Sequence, residues 1–354
     1  MITASDLLRL PCTSDLTGCG VAYACRSLAS GDPPKGGSIL ERLRLSVGAV
    51  AADLAFRRHL TGQGVPFKVL PAMPFSQSDR YVLSLGGHRC EIIPWLITRR
   101  AQGIHFHQNP ALVLQGPALL PLDGFASEGH RPDDLYLFAF LLGSISLIHD
   151  EPASDATHRS GYLIHPLPIR WARPVQWQPL VDLAIKSECK DPINVEIGGL
   201  SAERKFTSIV MELPPRKRLP VEKNLYSLAY VHAASKPDAR IGLHSPVLGD
   251  AYLIPNHAWG NICIDGLEAL FTGWLTHEEF RRKATVLKAG MRTLQYDRTY
   301  LKNLLVPIRE LKPTAPLLVQ VKKWEAEKTC LAVIQPPAGN EPSSPSSNDQ
   351  TPEP

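Results

Sequence analysis

Residues 135–142 read Leu-Tyr-Leu-Phe-Ala-Phe-Leu-Leu. An unbroken apolar run has no polar side to turn towards water, so it predicts a strand buried on both faces. Such a strand needs structure layered above and below it. The rest of the 354-residue chain can supply that cover, because 44% of it is hydrophobic and only 20% charged, an ordinary balance for a globular protein with a large core.

The segments before this run have their own periodicities. Ser38 reads as a helix N-cap with Glu41 as its capping-box partner. Ile39, Leu40, Leu43, Val47, Val50 and Leu54 recur mostly three or four apart, predicting a long helix to about His59 that Gly62 and Gly64 end. A strand is expected over 66–70. After a proline-rich turn, Tyr81–Leu85 and Cys90–Ile93 should form a hairpin about Gly86-Gly87. A helix over 109–115, with Pro110 near its start, precedes the apolar run, and Gly161–His165 is a further short strand. The expected fold is therefore α/β (α+β), with an αβββαβ core over 38–165 and an N-terminal extension over 1–37.

From 166 to 334 prolines are frequent and short strand-like runs alternate with turns. The clearest are 195–197, 209–211, 227–231, 252–254 and 262–264, and this half is expected to be a β-rich accessory region. Gly198-Gly199 reads as a turn, and Thr276 with Glu279 as a second capping box. Residues 335–354 are rich in Pro, Ser, Asn and Glu and are expected to be a disordered tail.

Three acids stand out against this order of elements. Asp53 lies on the long helix, Asp79 at the start of the second strand and Glu91 on the third. Phosphodiester hydrolysis needs a divalent cation and an activated water, and hard oxygen ligands from neighbouring elements can hold Mg²⁺. Each acid has a plainer alternative. Asp53 can pair with Arg57 one turn on, Asp79 can be turn chemistry, and Glu91 can form an ion pair with Arg89 or Arg99.

The segments Ala51-Ala-Asp53-Leu-Ala55, Ser78-Asp79-Arg80-Tyr81 and Arg89-Cys-Glu91-Ile-Ile93 together resemble the PD-(D/E)xK, or restriction-endonuclease-like, nuclease superfamily over roughly residues 38 to 165. The resemblance implies Asp53, Asp79 and Glu91 as catalytic acids, Asp79 and Glu91 as Mg²⁺ ligands, and DNA as substrate. The lysine of the family's Glu-x-Lys tripeptide falls on Ile93, which can neither orient water nor stabilise charge. Lys68 and Arg89 are the candidates for a relocated cation.

Other features point less specifically. Cys12, Cys19 and Cys25 are spaced too widely for a zinc site and read as ordinary thiols. His105 and His107 are a strand-spaced pair without a completing ligand, and read as surface residues. Arg216–Arg218 and Arg281–Lys283 are basic runs, either solvated or phosphate-contacting. A net charge of +4 permits a nucleic-acid partner without arguing for one. No apolar stretch suits a membrane span and no secretory leader is evident, so a cytoplasmic location is expected. Three functions fit: a metal-dependent DNA nuclease; a catalytically inactive nuclease-fold subunit that binds DNA or a partner; and an assembly protein, partnered or homodimeric, without a nucleic-acid role.

Overall fold

The computed structural model describes residues 2–30, 39–71, 82–97, 99–126, 129–146, 159–249 and 251–334. In chain order, β1 (Leu8–Pro11) leads into α1 (Ser14–Ser30), and α2 (Ile39–Gly62) follows. Then come β2 (Lys68–Val69), β3 (Leu83–Leu85), β4 (His88–Leu96), α3 (Arg100–Gln108), a 3-10 turn at Pro110–Gln115, β5 (Pro117–Pro121), α4 (Leu122–Phe125) and β6 (Leu135–Ser146). The next stretch holds β7 (Arg159–Pro166), α5 (Ile169–Ala172), β8 (Ala184–Ser187), β9 (Ile193–Leu200), β10 (Phe206–Leu213), β11 (Arg218–Pro220), β12 (Ser227–Ala233), β13 (Ile241–His244) and β14 (Ala251–Ile254). The last elements are β15 (Gly260–Thr276), α6 (His277–Lys283), β16 (Thr285–Leu287), β17 (Asn303–Pro307) and α7 (Thr314–Ile334).

The fold is mixed α and β. A ten-stranded sheet runs β10-β9-β12-β7-β15-β6-β4-β3-β2, with β1 also paired to β15. Its pairings are antiparallel except β4 with β6, which run parallel. The apolar run forms β6, between β15 and β4, and both of its faces are buried. Leu135, Leu137, Ala139 and Leu141 face α2, where they meet Val47, Ala51, Ala52 and Phe56. Tyr136, Phe138, Phe140 and Leu142 face the other way, towards Trp95, Phe106 and Phe280. Two smaller sheets, β11-β8-β13-β14 and β16-β17-β5, complete the strands. A third core, with Trp171, Leu183, Ile197 and Val231, lies between the first of these and the main sheet.

Several expectations hold. The described part of the helix over 38–59 is α2, and β3 and β4 are joined by Gly86-Gly87, both at positive φ (58° and 90°) as a tight hairpin turn requires. Thr276 and Glu279 form the capping box of α6. Ser38, Glu151–His158 and the tail 335–354 lie outside the described residues.

Other expectations are corrected. The division at 165/166 does not separate two sheets, because β9, β10, β12 and β15 continue the sheet that holds β6. The described part of the N-terminal extension, residues 2–30, is built into the fold, since β1 pairs with β15 and α1 packs on α2. The 262–264 strand is part of a 17-residue β15. The C-terminal 21-residue helix α7 was hidden in a region read as β-rich. Residues 110–115 form a 3-10 turn, and Gly198-Gly199 sits inside β9. Side chains at that pair have no room: a Cβ on Gly198 would stand 2.3 Å from the Tyr230 ring, and one on Gly199 would stand 1.9 Å from the Ser227 carbonyl oxygen. The two glycines therefore mark close approach of a neighbouring strand rather than a turn.

The crossing of α1 on α2 depends on Gly20, whose absent Cβ would lie 2.5 Å from the Val47 carbonyl oxygen. Gly18, half a turn earlier, has nothing within 4 Å of its Cβ position. Gly20→Ala should cost about 1–3 kcal/mol by forcing the helices apart. Gly18→Ala should be neutral or add up to about 1 kcal/mol through helix propensity. Urea unfolding midpoints of the two variants check this; equal shifts would contradict the packing.

Candidate functional site

Asp53 sits midway along α2, flanked by Ala52 and Leu54, on the side of the helix turned towards the sheet. Its carboxylate is mostly buried, with 14% side-chain exposure, and is paired with Arg57 one turn later. That is the plainer alternative read from the sequence. Burial raises its pKa, and the Arg57 guanidinium opposes that rise. Oδ1 of Asp53 has no hydrogen-bond partner among the described residues.

Glu91 lies on β4, and the alternation of that strand fixes its direction. Cys90 and Ile92 pack in the core shared with α2. Ile93, Trp95 and Ile97 belong to the opposite core. In the parallel register Glu91 stands beside Tyr136, on the face of Ile93 and away from α2. Side chains of successive strand residues point to opposite faces. The helical acid and the strand acid therefore approach the sheet from opposite sides, and the structure does not bring Asp53 and Glu91 together as one cation site. Asp79 lies outside the described residues. Among the described residues no group of three or more His, Cys, Asp or Glu side chains is placed to hold a metal ion.

The expected relocated cations are placed as follows. Lys68 is exposed on β2, opposite Ser84 of β3. Arg89, on the same face of β4 as Glu91, is held in a fork by Asp134: Nε donates to Oδ1 at 2.7 Å and Nη2 to Oδ2 at 2.6 Å. Nη2 also donates to the Gly129 carbonyl at 2.6 Å. Asp134 is 1% exposed and accepts the Arg131 backbone N–H at 2.6 Å as well. Arg99 pairs with Asp297.

Beyond Asp134 the polar chain continues into residues that no sequence motif flagged. The buried Tyr136 hydroxyl lies 2.8 Å from His277 Nδ1 and 3.4 Å from His130 Nδ1. The two imidazoles stack with centroids 4.9 Å apart, and His277 also stacks on Phe125 at 4.4 Å. Nε2 of His130 donates to the Gly124 carbonyl at 3.1 Å. Burial and then the neighbouring His130 lower the pKa of His277. This network ties the 129–134 segment to α6. It was foreshadowed only by Asp134, a carboxylate directly before an apolar strand.

The remaining candidates divide. His105 and His107 are on helix α3, not a strand, so two residues apart they do not share a face. His107 instead meets Arg9 and Glu268. Cys12 and Cys25 are buried and Cys19 exposed, all three free. On α6, Arg281 and Arg282 share the Glu278 carboxylate, and Lys283 donates to the Glu310 carbonyl, so each cation of this run has a partner within the fold. The run Arg216–Arg218 is different. Arg216 adopts positive φ (58°) and its N–H donates to the Ser187 carbonyl. Arg218 stands directly opposite Lys186 across the β11–β8 pair. Lys186, Arg216, Lys217 and Arg218 are all exposed, and none forms an ion pair among the described residues. Two like charges directly opposed across a strand pair destabilise it.

Comparison of the chain with protein-family models, with curated proteins and with solved structures gives no match.

Two predictions follow from the Arg89 and histidine networks. Arg89→Ala leaves the Asp134 carboxylate buried without its guanidinium and should cost about 3 kcal/mol or more, read as a lowered urea midpoint at constant slope. His165, His232 and His277 all have pKa values lowered chiefly by burial from an ordinary 6.5. The unfolded chain therefore takes up protons first as pH falls. Stability should be complete above that value and decline as pH drops below it, and His277→Gln should flatten the decline between pH 7.5 and 5. A rise in stability over the same window would contradict the assignment.

Proposed function

We propose that this chain binds nucleic acid without hydrolysing it, on a sheet whose element order resembles that of the restriction-endonuclease-like proteins. The order α2-β2-β3-β4-α3-β5-α4-β6, in which β5 pairs outside the main sheet and β4 and β6 run parallel, supports the resemblance. Separation of Asp53 and Glu91 onto opposite sheet faces, with hydrophobic Ile93 at the lysine position, argues against a cation-activated water between them. DNA is the ligand the resemblance implies, and Mg²⁺ is not needed for the binding itself.

The observation that carries the binding reading is the uncompensated basic edge. Arg218 faces Lys186, with Arg216 and Lys217 in the adjoining turn. A phosphate backbone relieves the repulsion between these cations, and release of its counterions drives binding. Surface compensation elsewhere, as on α6, makes the contrast meaningful: the fold places carboxylates beside one basic run and not beside the other.

Fluorescence anisotropy with a labelled duplex and a labelled single strand, across a salt series, tests the proposal. Affinity should fall with rising salt at a slope of roughly −0.7 to −0.9 per phosphate contact. Replacing Lys186, Arg216, Lys217 and Arg218 together by Ala should weaken binding by about tenfold or more, and each single change should lower the slope by about 1. Plasmid incubated with Mg²⁺ or Mn²⁺ should stay intact. Salt-independent binding, or none, would overturn the reading. So would metal-dependent cleavage abolished by Asp79→Ala or Glu91→Ala.

A further inference from the structure

A cavity of about 350 Å³ opens between α1 and the far half of the main sheet, remote in sequence from the three acids. That volume lies within the ~300–1,000 Å³ of small-molecule sites. One wall is the face of α1 that carries Thr17, Val21 and Cys25, one turn apart. The other is formed by side chains of β7, β9, β10, β12 and β15. The fold opens this space through Gly198: with no Cβ there, the Tyr230 ring lies flat across β9.

Polar groups converge on the floor. The Tyr230 hydroxyl donates to Glu196 Oε1 at 3.0 Å. Beside it the Tyr162 hydroxyl and the Cys25 thiol are hydrogen-bonded to each other. Oε2 of Glu196 accepts nothing among the described residues. An ionised carboxylate is acceptor-only, and each of its oxygens has two lone-pair positions. The ligand group it meets must therefore present donors. One wall is aromatic: the half-buried Phe206 ring is backed by the buried Tyr230 ring, 12° from parallel with centroids 6.4 Å apart. At the rim, exposed Arg26 lies 5.7 Å from the Phe206 ring centroid, and it has no carboxylate partner among the described residues.

An aromatic wall, a carboxylate acceptor on the floor and a cation at the mouth together specify a ligand. Guanine is the base with two adjacent donors, N1–H and the 2-amino group, on its pairing edge. Adenine and cytosine set a ring acceptor beside their amine, and uracil flanks its N–H with carbonyls, so each would turn a lone pair towards Glu196. We propose that this cavity is a guanine-binding site, in which Glu196 accepts from the base edge, Phe206 supplies the stacking surface, and Arg26 meets the 5′-phosphate. Base stacking on aromatic side chains and edge reading by hydrogen bonds are how proteins hold an unstacked base. The base can come from a free nucleotide or from a single strand; the second source rests on the nucleic-acid reading above, and the first does not.

Isothermal titration of the full chain with GMP, IMP and AMP tests the site. IMP lacks the 2-amino group. GMP should bind, IMP about tenfold more weakly, and AMP weaker still, the loss expected when a charged acceptor loses its donor. Glu196→Gln should remove the preference for GMP over AMP while thermal unfolding shows the fold retained. Exposed Arg26→Ala should weaken GMP about tenfold and leave guanosine unchanged. To separate the sources, a thymidine 15-mer is compared with the same strand bearing one central guanine. A Glu196-dependent preference for the guanine strand assigns a chain-borne base; equal binding of the two strands, with GMP still preferred, assigns the free nucleotide. No GMP binding at millimolar concentration, equal affinity for GMP and AMP, or GMP binding indifferent to Glu196→Gln would overturn the site. The quadruple Lys186/Arg216/Lys217/Arg218 variant should keep its GMP affinity, so failure of the basic edge and failure of the pocket give different results.

Discussion

The pairing of β6 with β15 organises everything else in this molecule. β15 contacts β6 from Cys263 to Thr276, and its other edge carries β7 over its first half and β1 over its second. Through β7 it reaches β12, β9 and β10, and through β6 it reaches β4, β3 and β2. Because β6 is buried on both faces, the two cores on either side of it share one strand, and a change of register in β6 would exchange their contents. The same alternation sends Cys90 to one core and Glu91 to the other. The fate of the expected metal site is thus set by a property of the sheet, the two-residue period of its side chains.

That period also explains why a metal site looked plausible along the chain. Asp53, Asp79 and Glu91 follow one another at element positions that suit a nuclease, but linear order carries no information about which face of a strand an acid takes. Glu91 sits between Cys90 and Ile92, both apolar, so the pattern 90–93 does not reveal its direction. Only the partner cores, with α2 over Cys90 and Phe280 and Phe106 over Ile93 and Trp95, decide it.

Other parts were legible where local chemistry dominates. The capping box at Thr276, the Gly86-Gly87 turn and the helix from 39 each depend on neighbours within a few residues, and each is where the sequence places it. The elements that were missed depend on distant partners. α7 begins in a proline-containing segment, and its apolar residues Leu317, Leu318, Val321 and Trp324 gain meaning from what they cover: Trp324 packs over Gly86 and meets the His88 ring in a tilted contact, centroids 4.4 Å apart. Gly198-Gly199 resembles a turn until Tyr230 and the Ser227 backbone are brought against it. The cavity beside it has residues from α1 and five strands, and no window of sequence holds more than a fragment of that set.

Asp53 and Glu91 serve different faces of the sheet and do not share a cation. Electron paramagnetic resonance of Mn²⁺ titrated into the chain tests this directly, because bound Mn²⁺ loses the sharp six-line signal of the free ion. With Asp53→Asn and Glu91→Gln variants alongside, the expected result is no bound Mn²⁺ that both substitutions release. One Mn²⁺ per chain, lost with Asp53→Asn and equally with Glu91→Gln, would contradict it.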